Sequence, residues 1–187
     1  MSRQISLCNG VLDTKRRAFL KVGIAGFALL YAGRWLAPAR AAEGATPSFP
    51  LKNLTQEDAV VLSRVIPVML HGALPLDGAQ FKTAIDEVMY GVDLTIGYQP
   101  PSVRTEIRDL FNLLNNAAMR ALVAGIWKPW SKATNQDIQE FLASWRDSRF
   151  DLLRSAYIGL NNLIVGSWYG NPRSWPRIGY GGAPKLV

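Results

Sequence analysis

Apolar residues recur at three- and four-residue steps along most of the chain between Thr55 and Trp168, and this spacing is the strongest constraint on the fold. Phe81, Ile85, Val88, Met89, Val92 and Ile96 form one such stripe. Leu153, Ala156, Tyr157, Leu160, Ile164 and Trp168 form another. No sustained alternation of Val, Ile and Thr, no hairpin signal and no internal repeat interrupts the pattern. The expectation is an all-α fold, a single small bundle of about five helices.

Breaker residues divide the stripes. The first helix opens at Thr55, with Asp58 three residues on as its capping partner, and carries Val60, Val61, Leu62, Val65, Ile66 and Leu70. Pro67 inside it predicts a kink or an early break. The second helix ends at Pro100-Pro101. A third, opened by Pro101-Ser102, runs through Val103, Ile107, Leu110, Phe111, Leu114 and Ala121 to a stop at Gly125. Ile126–Trp130 reads as a loop with two tryptophans. Thr134 or Asn135 caps a fourth helix holding Ile138, Phe141, Leu142 and Trp145, and a fifth begins near Arg149. Gly170-Asn171-Pro172 end that helix, leaving an irregular aromatic tail to Val187 with one helical turn around Arg173–Arg177.

The first forty residues are of another kind. Lys15-Arg16-Arg17-Ala18-Phe19-Leu20-Lys21 is followed by twelve residues, Val22–Gly33, that are all apolar or Gly, and then by Ala37-Pro38-Ala39-Arg40-Ala41-Ala42. A charged region, an apolar region and a small-residue site in that order are the parts of a signal peptide. The pair Arg16-Arg17 with Phe19, Leu20 and Lys21 resembles the twin-arginine (Tat) export motif, although Lys15 stands where Ser or Thr is usual. A spanning helix needs about 20 apolar residues. This run has twelve, and half of those are Gly or Ala, so cleavage is expected, with a retained membrane anchor as the alternative. Ala39 and Ala41 meet the small-residue requirement for a cut before Ala42. The expected organisation is a signal peptide at 1–41, a linker at 42–53 and a helical domain with its tail at 54–187, exported to the periplasm.

Setting the leader aside changes what the composition implies. Of 21 basic residues, seven lie in 1–41, against one of the 14 acidic ones, so the remainder holds 14 basic and 13 acidic residues. The formal charge of +7 therefore belongs mostly to the leader and gives no argument for nucleic acid. The one cysteine, Cys8, also lies there, so residues 42–187 offer no disulfide, thiolate nucleophile or cysteine metal site.

Catalytic constellations are not evident. His71 is the single histidine, and its place just after a helix suits a cap or loop contact better than a ligand. Asp86 and Glu87 are adjacent on a helix, point in different directions and read as a solvated face. No Gly-x-Ser-x-Gly, phosphate-cradling glycine loop or haem-attachment motif is present. The unusual stretch is the ending, which sets Trp168, Tyr169, Trp175 and Tyr180 beside Arg173 and Arg177 among glycines and prolines. Aromatics and Arg are the residues that anchor partner surfaces. The competing reading is that they fold back over the core.

With the Tat leader and a helical domain before it, the ending Trp168-Tyr169-Gly170-Asn171-Pro172, Trp175, Gly179-Tyr180-Gly181-Gly182-Ala183-Pro184 resembles the small-subunit family (subunit 3) of gluconate 2-dehydrogenase. Gly181 departs from the Pro usual there. The resemblance implies a non-catalytic subunit with no cofactor of its own. It would partner an FAD-dependent large subunit of the glucose-methanol-choline type and carry it through the Tat translocase. A cytochrome c subunit can take the electrons onward in such complexes. The alternative is a free-standing periplasmic helical protein that binds a ligand or aids assembly.

Overall fold

The structure of the protein, a computed structural model, describes residues 47–182. The export residues Arg16, Arg17, Phe19, Leu20 and Lys21 and the cleavage residues Ala39, Ala41 and Ala42 lie outside the described residues. Within them the chain is all-α, with six α-helices, two 3₁₀ helices and no strand. The α-helices are α1 (Gln56–Met69), α2 (Gly78–Tyr98), α3 (Pro101–Asn115), α4 (Ala117–Ala124), α5 (Asn135–Arg146) and α6 (Asp151–Tyr169). The 3₁₀ helices cover Trp130–Lys132 and Pro172–Ile178.

Helix α1 lies at the centre and packs against α2, α3, α5 and α6. Its residues Ala59, Val60, Val61, Leu62, Val65 and Ile66 are all buried. Thr55 and Asp58 form the expected capping box. Asp58 is itself wholly buried, and its carboxylate also accepts from Asn115 Nδ2 at 2.7 Å and Arg108 Nη1 at 2.6 Å. The cap of α1 thereby becomes the joint between α1 and α3.

Three expectations are corrected. Pro67 does not break α1, which runs on to Met69. A proline this near the C-terminus forfeits one backbone bond in the last turns, and the end of the helix at Leu70 still donates to Ile66 and Val68 oxygens. The third helix is two helices, split at Asn116, whose backbone is extended and whose Oδ1 accepts from Met119 N at 3.0 Å. A side-chain cap competes with helix continuation at Asn, and here the cap prevails. Residues 47–53 are not a free linker. Phe49 and Leu51 pack on the core, and the buried Asp93 carboxylate accepts the backbone N–H groups of Lys52, Asn53 and Leu54 at 2.8–3.2 Å. Asn53 Nδ2 returns a bond to Asp93 O.

The pair α2 and α6 forms the most extensive helix contact and sets where the tail begins. A Cβ on Gly91 would lie 2.9 Å from Ser167 Cβ, so glycine lets the two backbones approach. Among the described residues no helix is long and apolar enough to cross a membrane.

Candidate functional site: the clamped aromatic tail

Helix α6 stops because Gly170 leads into Asn171 before a proline. A residue in that place is pushed to extended backbone, and Asn171 takes φ −86° and ψ 126°. Its Oδ1 then caps the next turn by accepting from Arg173 N at 2.9 Å, while its carbonyl accepts from Ser174 N and Ser174 Oγ. The single helical turn expected at 173–177 is a seven-residue 3₁₀ helix, Pro172–Ile178. Gly179 ends it at φ 68°, a conformation that favours glycine, and Tyr180 N folds back onto Trp175 O at 3.0 Å.

This folded tail is fixed to the bundle by charge at two points. Arg173 makes a two-pronged pair with Glu87 on α2, Nε and Nη2 each 2.8 Å from a carboxylate oxygen. Asn171 Nδ2 donates to the same carboxylate at 2.7 Å. The Arg173 guanidinium, helped by Asn171, holds the Glu87 carboxyl below its ordinary range against the opposing effect of burial. At the second point Arg177 donates to the carbonyls of Gly72, Ala73 and Leu74 in the α1–α2 connection, at 2.8–3.1 Å. A planar fork with five donors suits such a row of acceptors.

The six residues picked out from the sequence therefore separate. Trp168 is only 1 % exposed and belongs to the core, so it is removed from the surface anchors: its stripe position on α6 points inward with Leu160 and Ile164. Arg173 and Arg177 are not free anchors either, since both are engaged within the chain. Trp175 is half-buried. Its Nε1 donates to Tyr169 O at 3.1 Å, and its ring stands edge-on to Tyr180 at 5.1 Å. Tyr169 and Tyr180 remain exposed, and the neighbouring Ile178 joins them. Tyr169, Ile178 and Tyr180 are thus the exposed apolar side chains of the tail, a platform that Trp175 supports and the two arginines clamp to the bundle.

Glu87 is the residue the sequence reading misplaced, because its partners stand 84 and 86 positions away and leave no local signal. His71 is exposed just beyond the end of α1. Among the described residues no group of three or more His, Cys, Asp or Glu side chains is placed to hold a metal ion. Comparison with protein-family models, with curated proteins and with solved structures gives no match.

Proposed function

We propose that this chain is the non-catalytic small subunit of an exported, FAD-dependent dehydrogenase of the glucose-methanol-choline type, and that its tail is where the flavoprotein docks. The observation that carries this reading is the clamping of the tail. A segment with no task has no need of a bidentate ion pair and three Arg177 bonds to hold two tyrosines and an isoleucine toward solvent. Fixing such a surface in advance lowers the entropy lost when a partner binds, and rigid aromatics are favoured anchors. The twin-arginine leader, the absence of cysteine from residues 42–187 and the family-like ending support the same reading. In it, the folded pair crosses to the periplasm on this chain's signal, and FAD and substrate belong to the partner.

The test is co-purification of the tagged protein from the periplasm of its own host. The expected result is a retained flavoprotein showing flavin absorbance, with no redox activity in this chain once the two are separated. Wild-type protein that retains no flavoprotein would overturn the proposal.

A further inference from the structure

The outer face of the α2–α6 pair is almost free of charge. From Val88 to Tyr98 the one charged residue is Asp93, which is buried beneath the backbone of residues 52–54. From Ser155 to Tyr169 there is none. A surface helix ordinarily sets charged and polar side chains opposite its buried stripe. Here α2 instead exposes Tyr90, Leu94 and Tyr98, at four-residue steps along one face, with Tyr98 81 % exposed. On α6 the exposed residues Asn162, Gly166 and Tyr169 share a face. The two helices meet along one seam. Gly91, next to Tyr90, lies against Ser167, next to Gly166. Glu87, one turn earlier on α2, binds Asn171, four residues beyond Ser167, so the helices run antiparallel. Tyr90 is also held in place: the Phe49 ring stands edge-on to it at 5.3 Å, as Trp175 stands to Tyr180. An exposed aromatic fixed by an inner one has less freedom left to lose on contact.

Depletion of charge and enrichment in aromatics mark the buried centre of an interface. The tail by itself is too small to be one. Tyr169, Ile178 and Tyr180, each about half exposed, offer on the order of 300 Å². A specific complex takes about 800 Å² from each partner. The missing area has to adjoin the tail, and the α2–α6 face does so through Tyr169, which ends α6 and belongs to both surfaces. We propose that the flavoprotein docked on the tail extends over this face, covering Gly166 on α6 and Tyr90, Leu94 and Tyr98 on α2. The inference rests on the tail being the docking site, and it assigns the larger part of the footprint to the helices. A Cβ built on Gly166 would meet nothing within 4 Å, so the space above that turn of α6 is left open by the chain itself.

The experiment is retention of the flavoprotein by the tagged full chain, with wild type, Gly166→Lys, Tyr98→Ala and Leu122→Lys. Gly166 is helical and its site is open, so lysine there should leave the melt unchanged or raise it while setting a charge in the contact. Tyr98→Ala removes a mostly exposed ring from the end of α2. Each of these two should weaken retention by about tenfold or more. Leu122→Lys, at an exposed site on α4 outside this face, should bind as wild type does. Full retention by either Gly166→Lys or Tyr98→Ala overturns the proposal; if Tyr180→Ala still weakens retention, docking at the tail stands. Wild type that retains no flavoprotein overturns both. If the two variants spare the flavoprotein and abolish a self-association seen by sedimentation velocity, a second copy covers the face and the proposal is likewise overturned.

Discussion

Replacing Trp175 by Ala tests whether the tail is a supported platform or part of the core. The structure gives three losses to add. The Nε1 bond to Tyr169 O contributes about 1 kcal/mol net, and the edge-on contact with Tyr180 contributes about as much. Partial burial of the ring adds about 1 kcal/mol. The clamps at Arg173 and Arg177 stay in place, so the tail need not detach, and relaxation recovers part of the sum. A net cost near 2 kcal/mol lowers the melting temperature by about 4–8 °C in a chain of this size. Trp168→Ala empties a core site and should cost about 3–5 kcal/mol. Tyr180→Ala, at a residue 48 % exposed, loses only the edge-on contact and should lower the melt by about 2–4 °C, yet weaken retention of the flavoprotein about thirtyfold. Circular dichroism melts beside pull-downs of the three variants distinguish these outcomes. A Trp175→Ala melt as low as that of Trp168→Ala would refute the platform and return the tail to the core. Full flavoprotein retention by Tyr180→Ala would refute it as the docking surface.

The Glu87 carboxyl titrates below its unfolded value, so its contribution is fully present above the ordinary carboxylate range and is lost as pH falls through the lowered folded value. Both partners are about one-third exposed, so solvent screens the pair and its contribution is small. The protection factors of the Asn171–Tyr180 amides, corrected for the fall in intrinsic exchange with pH, should decrease on acidification in wild type and change less in Glu87→Gln, where protection is already lower at neutral pH. Asp93→Asn should cost about 3 kcal/mol in denaturant unfolding, because one amide oxygen cannot replace a buried carboxylate that accepts three backbone N–H groups. Arg16→Lys with Arg17→Lys keeps the charge and loses the planar fork, so the precursor should remain in the cytoplasm; delivery to the periplasm despite both changes would refute the twin-arginine reading.

What could be read from sequence was what short-range chemistry decides. Thr55 with Asp58 and Thr134 with Asp137 form capping boxes because both partners sit three residues apart. The apolar stripes of α2 and α6 face inward because 3.6-residue periodicity leaves them no other face to bury. Asn115-Asn116 was ambiguous by nature, since an asparagine tolerated inside a helix and one that caps a new helix look alike until the bundle settles the direction of α4. The strap at 47–53 and the Arg173 clamp depend on Asp93 and Glu87, each meeting backbone or side chains about 40 to 86 residues away, and the Arg177 clamp reaches carbonyls 103 to 105 residues away. Nothing in the residues beside Arg173 or Arg177 distinguishes an anchor offered to a partner from a clamp closed on the chain itself. That distinction is geometric, and it moved the candidate surface from the arginines to Tyr169, Ile178 and Tyr180.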